Sequence, residues 1–321
     1  MKTRLNNSTR CLITGSNGFL GKHLINNLKK RNIKIFFSSS KKNDLRDLDS
    51  YEKIFKFSKP DIVFNLAAKV GGILENKLFP ADFFYDNMAM IINTFYLSNK
   101  YKVKKLINVG AGCGYPLNAT EPLKESDMFK GLPQAESKAY SMSKKMIFIA
   151  NEAYFKQYNL MTNTIIPSNL YGEYDNFNLE KSHVIAALIR KFFEAKHKNK
   201  RSVEIWGDGS AKRDFIHADD VAKSLIYLAE NHKFIEPVNI CSGEQNNIKT
   251  VAKYLREISQ FQGEIIWKKD MPVGQKSREF SKTKMKKALK RNNIKFTGLY
   301  DGLSRTYSWF EKNYKSKTIR L

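Results

Sequence analysis

A chain of 321 residues, 42% hydrophobic and 12% aromatic, can bury a large core, either as one big α/β unit or as two modest domains. Its 56 Lys and Arg against 31 Asp and Glu give a formal charge of +25, which attracts polyanions; but the lysines are spread along the chain, with only short clusters such as 196–201, so no specific nucleic-acid groove is predicted. No segment approaches a membrane span, the apolar run after the basic Met1–Arg10 stops at Gly15, too short for a signal-peptide core, and the scattered Cys11, Cys113 and Cys241 form neither a disulfide framework nor a zinc motif, which together predict a soluble cytoplasmic protein.

The first predicted element is a short strand at Cys11–Ile13, followed by the loop Gly15, Ser16, Asn17, Gly18, Phe19, Leu20, Gly21 and a helix through Leu28. Strand, glycine turn and helix in this order suit a dinucleotide: the glycines let the backbone approach a pyrophosphate, which sits on the unpaired N–H groups of the helix start. The spacing is G-x-x-G-x-x-G rather than the commoner G-x-G-x-x-G. A second strand at Ile33–Phe37 runs into Ser38, Ser39, Ser40, Lys41 and Lys42, with no carboxylate before Asp44. An acid at this place would repel a ribose 2′-phosphate, whereas serines and lysines donate to it, so NADP(H) is predicted over NAD(H), with Asp44 and Leu45 near the adenine.

Further apolar runs at Asp61–Ala67, Leu106–Val109 and Thr164–Ile166 alternate with helix-like stretches at Asp82–Lys100 and Ala139–Tyr158. Strands apolar throughout, alternating with helices, predict an α/β fold with a doubly wound parallel sheet. After Leu106–Val109 comes the glycine-rich run from Gly110 to Pro116, which contains Cys113. The next helix carries Tyr140 and Lys144, four residues apart on one face, where an ammonium can stabilise a tyrosinate and hold a ribose. Such a pair is cheap by chance among 15 tyrosines, and position after a buried strand and a phosphate loop makes it specific. Beyond Pro167 a polar loop, a helix at His183–Lys198, a strand at Ser202–Trp206 and a Lys-rich tail from Phe261 follow. Residues 1–169 with a return segment 213–240 are read as the nucleotide domain, and 170–212 with 241–321 as a smaller, mainly C-terminal substrate-binding lobe.

The glycine loop, Asn65-Leu66-Ala67-Ala68 and the Tyr140/Lys144 pair together resemble the extended short-chain dehydrogenase/reductases that act on nucleotide sugars, with a Rossmann nucleotide domain. Ala67 to Ile73, Asn169 to Gly172 with Asp175-Asn176-Phe177, Ser182 to Ile185, and Trp206 to Gly209 with Arg213 to His217 narrow the resemblance to the GDP-L-fucose synthase group, over nearly the whole chain. The resemblance implies epimerisation of a GDP-4-keto-6-deoxymannose at C3 and C5, then reduction of C4 with NADPH. It matches Cys113 and His183 to the epimerisation pair, Tyr140 to the proton donor at the C4 oxygen and Lys144 to the group that lowers its pKa. Cofactor contacts are implied at Leu66, Ala67, Ala68, Lys144, Pro167, Asn169, Leu170 and His183, and substrate contacts at Asn169, Lys191, Trp206, Arg213 and Arg278. It also implies a homodimer through the Tyr140-bearing helix.

Two positions depart from the group. Ala111 stands where a hydroxyl residue meets the C4 oxygen, and Val273 where an aspartate contacts substrate. Loss of one oxyanion donor costs about 10²–10³ in rate. Both changes lie on the sugar side and point to a variant sugar or outcome. Three readings stay open: an epimerase/reductase of this type, a redox-neutral epimerase with retained cofactor, and a non-catalytic NADP-sensing or polyanion-binding protein. No metal is expected, because the five histidines show no ligand spacing.

Overall fold

The computed structural model describes residues 5–38, 41–231, 235–271, 274–289, 295–316 and 319–321. In chain order its strands are β1 (Arg10–Thr14), β2 (Lys34–Phe37), β3 (Ile62–Asn65), β4 (Lys105–Val109), β5 (Thr162–Pro167), β6 (Asn169–Tyr171), β7 (Ser202–Trp206), β8 (Lys212–His217), β9 (Val238–Ile240), β10 (Gln245–Asn247) and β11 (Glu264–Lys268). The helices are α1 (Phe19–Leu28), α2 (Leu48–Ser58), α3 (Ile73–Leu78), α4 (Pro80–Lys100), α5 (Lys138–Tyr158), α6 (Val184–His197), α7 (Ala218–Asn231), α8 (Ile248–Ser259), α9 (Thr283–Leu289) and α10 (Leu299–Asn313).

Six parallel strands form the main sheet in the order β2-β1-β3-β4-β5-β9. β3 and β5 are buried at every position, as strands covered on both faces must be. One face buries Leu24 and Leu28 of α1 with Val221, Leu225 and Leu228 of α7. The other buries Tyr51 and Phe55 of α2 with Ile91 and Phe95 of α4. Each fully buried side chain of this size is worth about 1.5–3 kcal/mol. The chain runs from β1 to one side as β2, then crosses to β3 and continues the other way, so the winding reverses between β1 and β3. A ligand crevice forms beyond the carboxyl ends of strands at such a reversal.

A second cluster holds Phe192 and Phe193 of α6, Leu255 of α8, Val203 and Ile205 of β7, and Leu303 and Phe310 of α10. The small sheets β10-β8-β6 and β11-β7 border it. Within the segment 213–240, α7 packs into the core of the main sheet, and β8, which leads into it, pairs with β6 and β10. The later segment with Phe280, Met285 and Leu289 also packs into the core of the main sheet. Among the described residues no helix is long and apolar enough to cross a membrane.

Candidate active site

The crevice starts at the end of β1. Gly15 has φ +66°, in the left-handed region that favours glycine, and a Cβ there would come within 2.9 Å of the Ala67 nitrogen. A Cβ on Gly21 would collide with the Gly15 carbonyl oxygen, so only glycine lets α1 start this close to the strand. Gly18 caps α1 from an extended conformation, and no side chain satisfies the first N–H groups of the helix. The cradle therefore has the shape and polarity for a pyrophosphate, and it fits a dinucleotide.

Thr14 fixes the other wall. Its hydroxyl donates to Asn65 Oδ1 at 3.1 Å and accepts the N–H groups of Leu66 and Ala67, both at 3.1 Å, which ties the end of β1 to the loop after β3. From Asn65 a buried chain of amides runs across the sheet. Asn65 Nδ2 donates to Asn108 Oδ1 at 3.0 Å, Asn108 Nδ2 to Asn151 Oδ1 at 3.3 Å, and Asn151 Nδ2 to Thr164 Oγ1 at 2.6 Å. Breaking one link strands a buried partner at about 1–3 kcal/mol, so the chain holds α5 at a fixed place over the sheet. None of these five residues was singled out for a role from sequence; their signal lies in contacts between distant positions.

Beside the cradle, Ser16, Asn17, Lys22, Ile25, Asn26, Lys29, Phe37, Ser38 and Tyr174 line a cleft of about 450 Å³. Ser16 Oγ donates to the Ser38 carbonyl at 3.1 Å, joining the glycine loop to the end of β2. Lys41 is exposed, and Ser39 lies outside the described residues, as do Pro272 and Val273. The cations in the cleft are Lys22 of α1 and Lys29 just after it, which sequence reading passed over. Asp44 is held well below the usual carboxylate range by Arg46, whose Nη2 lies 2.7 Å from it, while Arg46 Nη1 reaches Asp86 at 3.0 Å. Leu45 packs into the core between α2 and α4.

The other end of the crevice is built on the turn after β4 and the first turns of α5. Ala111 precedes a 3₁₀ turn at Gly112–Gly114, which presents the half-buried Cys113. Burial pushes the Cys113 thiol up, opposed by a hydrogen bond with the buried Ser141 and by the positive charges of Arg278 and Lys144. Burial likewise pushes the Tyr140 phenol up, with nearby Cys113 adding to the shift. The Tyr140 ring meets Phe83 edge-on at 6.2 Å. Burial lowers the Lys144 ammonium to about 8, against a small opposing pull from Cys113. Tyr140, Lys144 and Cys113 thus converge in one low-dielectric site, and burial, not Lys144, dominates the phenol.

Arg278 Nη2 donates to the Gly112 carbonyl at 2.8 Å, and its Nε has no partner. Arg213 Nη1 donates to the Lys212 carbonyl at 2.7 Å. Burial lowers both guanidinium pKa values; the charge of Arg278 lowers that of Arg213 further, and Glu121 opposes the shift in both. Two half-buried cations beside the single carboxylate of Glu121 suit a dianionic ligand. On the lobe, Lys191 Nζ donates to the Glu204 carbonyl at 2.9 Å and sits 6.0 Å from the centre of the Trp206 ring, which is 53% exposed. Trp206 is therefore a surface platform and not a core residue. His183 is exposed at the start of α6, and the preceding Glu180–Lys181 backbone lies against Gly72, downstream of Ala68. Pro167 and Asn169 flank Ser168, whose hydroxyl donates to the buried Asp214 at 2.7 Å, and Leu170 packs at the edge of the main core.

A family model described as the NAD dependent epimerase/dehydratase family matches residues 11–241. The chain belongs to that family. GDP-L-fucose synthase 1 of Arabidopsis thaliana is 33% identical over 95% of this chain and 94% of its own length. The GDP-L-fucose synthase of Escherichia coli is 30% identical over 95% of this chain and 97% of its own. Among solved structures, a GDP-L-fucose synthetase from Naegleria fowleri bound to NADP superposes with a TM-score of 0.93 at 28% identity, covering 100% of this chain and 97% of that one. A GDP-D-glycero-L-gluco-heptose synthase from Campylobacter jejuni, solved in the presence of NADPH, gives 0.86 at 30% identity, covering 96% and 99%. The expected α/β fold of this family and the resemblance to its GDP-L-fucose synthases are thereby established.

Proposed function

We infer that this chain is an NADP-dependent GDP-sugar epimerase/reductase of the GDP-L-fucose synthase kind. The observation that carries the reading is the convergence of Tyr140, Lys144 and Cys113 at the far end of a crevice that begins in the Gly15/Gly18/Gly21 cradle. Gly15 to Gly21 and the N-terminus of α1 would hold the pyrophosphate of NADP(H), with Lys22, Lys29 and Ser38 near the adenosine ribose, and Lys144 and Pro167 to Leu170 toward the nicotinamide. When bound, the cofactor supplies a hydride to a carbonyl carbon.

The remaining chemistry belongs to the chain's own groups. Tyr140, kept protonated by burial, donates its phenolic proton to the sugar oxygen as negative charge develops there, and Lys144 stabilises the tyrosinate left behind. Inversion beside a ketone needs a base on one face and an acid on the other, roles that fall to Cys113 and His183. The thiol requires activation, because burial opposes the thiolate, and Arg278 and Lys144 supply the favourable charge. Arg213 and Arg278 fit the diphosphate, with Lys191 and Trp206 at the rim. Ala111 leaves the C4 oxygen one donor short, which favours a sugar differing from 4-keto-6-deoxymannose.

The exposed apolar side chains of Phe84, Ile92 and Tyr96 on α4 and Ile149 on α5 support a second copy of the chain as partner, and the free cysteines suit a reducing cytoplasm. The two domains proposed are the main-sheet unit and the lobe around α6, α8 and α10.

Incubation with GDP-4-keto-6-deoxymannose and NADPH tests the function. NADPH loss in step with sugar conversion supports the reductase. Solvent deuterium entering C3 or C5 without NADPH loss supports the redox-neutral epimerase instead. In the Tyr140→Phe variant reduction is expected to fall by about 10²–10⁴-fold while deuterium exchange continues; undiminished reduction would remove Tyr140 from the proton-donor role.

A further inference from the structure

The cleft of about 450 Å³ beside the glycine cradle has one wall to which the proposed function gives no role. Eight of its nine lining residues come from the glycine loop, α1, the residue just after α1 and the end of β2. The ninth, Tyr174, comes from the loop between β6 and α6, 148 residues along the chain from Asn26.

The charge around the cleft is one-sided. Lys22 and Lys29 line it, and among the described residues no Asp or Glu does. Arg320 stands close by, its Nη2 donating to the Tyr174 carbonyl at 2.8 Å, and burial together with the charge of Arg320 lowers the pKa of the Lys22 ammonium. Cations gathered around a cleft without a carboxylate are relieved by an anion.

Tyr174 is held in this cleft from several sides. Its φ is +70°, in the left-handed region that a bulky side chain seldom enters, and such a conformation persists where the surroundings fix it. One peptide earlier, the Glu173 carbonyl accepts His23 Nε2–H of α1 at 2.9 Å. The Glu173 carboxylate lies 3.1 Å from His217 Nε2 at the end of β8 and 3.1 Å from Arg305 Nη2 of α10. Trp309 of α10 and His23 meet the Tyr174 ring edge-on, with centres 5.0 and 5.4 Å away. Held in this way, the ring centre lies 5.1 Å from Lys22 Nζ, and the hydroxyl oxygen is approached by Asn26 Nδ2 at 3.4 Å. Among the described residues none accepts from that hydroxyl, so its hydrogen is left for a ligand.

We propose that Tyr174 reads the ribose 2′-phosphate of NADP(H): its phenol O–H donates to a phosphate oxygen, and its ring steadies Lys22, which pairs with the same phosphate. The proposal rests on the reading that puts the adenosine ribose beside Lys22, Lys29 and Ser38. It adds a residue from a distant loop as the one that separates NADPH from NADH. A free 2′-hydroxyl carries no charge for Lys22 and Lys29 to neutralise, whereas a phosphate dianion satisfies both ammonium groups and the phenol together.

Affinity in the absence of sugar is the readout. NADPH and NADH are titrated by their fluorescence into the full-length protein and into Tyr174→Phe, which keeps the ring against Lys22 and Trp309 and removes only the hydroxyl. The Kd for NADPH is expected to rise about tenfold, as for loss of one hydrogen bond to a charged group, with the Kd for NADH unchanged. Lys22→Gln is expected to weaken NADPH by about 10-fold to 10²-fold and likewise to spare NADH. Competition separates the position of the phosphate: 2′-AMP should displace NADPH from the wild type at lower concentration than 5′-AMP, and in Tyr174→Phe that advantage should shrink about tenfold. Equal weakening of NADPH and NADH in Tyr174→Phe marks a merely structural ring and overturns the proposal, as does an unchanged affinity for NADPH. A preference for NADPH that survives both variants overturns this inference alone. A wild type that binds neither dinucleotide overturns the enzymatic reading and this inference with it.

Discussion

The two ends of the crevice are built by different means. At the cofactor end recognition is written in the backbone: three glycines, a helix start without a side-chain cap, and the Thr14 hydroxyl gripping two main-chain N–H groups. At the proposed sugar end the groups are side chains, Cys113, Tyr140, Arg213, Arg278 and Trp206, drawn from segments far apart in the chain. A backbone cradle tolerates almost no substitution but needs no particular neighbour. A side-chain pocket can change its ligand by one residue, which is the change proposed for Ala111.

The largest expected effect breaks the cofactor end. Gly21→Val places side-chain atoms on the Gly15 carbonyl and should abolish measurable NADPH binding in a fluorescence titration; it should also lower stability by about 1–3 kcal/mol, as overpacking does. Retained binding would show that the cradle can shift, and the contrast between the two ends would weaken.

A smaller effect is expected from pH. Lys144, lowered to about 8 by burial, is charged below that pH and neutral above it, so the rate of NADPH oxidation should fall about tenfold per unit above pH 8. The sign for stability is opposite. Between about 8 and the ordinary lysine value of 10.5 the unfolded chain holds the proton that the folded one has lost, so this group makes folding more favourable as pH rises. Activity lost in that window with the thermal midpoint unchanged or raised therefore marks Lys144 rather than denaturation; a flat rate profile to pH 10 would remove it from the mechanism.

The smallest effect sharpens the comparison at the sugar end. Ala111→Ser restores a hydroxyl two residues before Cys113 and should raise turnover of GDP-4-keto-6-deoxymannose by about tenfold. That is less than the 10²–10³ of a fully organised oxyanion donor, because a single introduced hydroxyl is not held in place by partners chosen for it. A decrease in turnover would show that the space above Ala111 is occupied by the natural sugar.

The cofactor end was legible in sequence because its requirements are local. Gly15, Gly18 and Gly21 follow a short apolar strand, and Tyr140 and Lys144 keep helical spacing, so short-range rules suffice. The strands of the main sheet could be read from apolar runs, except β9, whose three residues carry no periodicity. The three-residue strands β6 and β10 escaped for the same reason. The amide chain from Asn65 through Asn108 to Asn151 was invisible, since each partner lies 43 residues from the next. Asp44 was expected near the adenine, but its tie to Arg46 and Asp86 depends on where α4 comes to lie. Whether Trp206 faced core or ligand was open until β7 was seen to present it outward.

The contact between Arg278 and the Gly112 carbonyl spans 166 residues, and next to it the Phe280 ring fills the place a Gly112 side chain would take. Leu123 pairs with the same late segment through the Glu279 carbonyl and the Ser281 N–H. The glycine cradle closes between Gly15 and Ala67, whereas the turn that carries Cys113 is braced by a segment 166 residues further along, so one end of the crevice draws on neighbouring strands and the other on remote stretches of polypeptide.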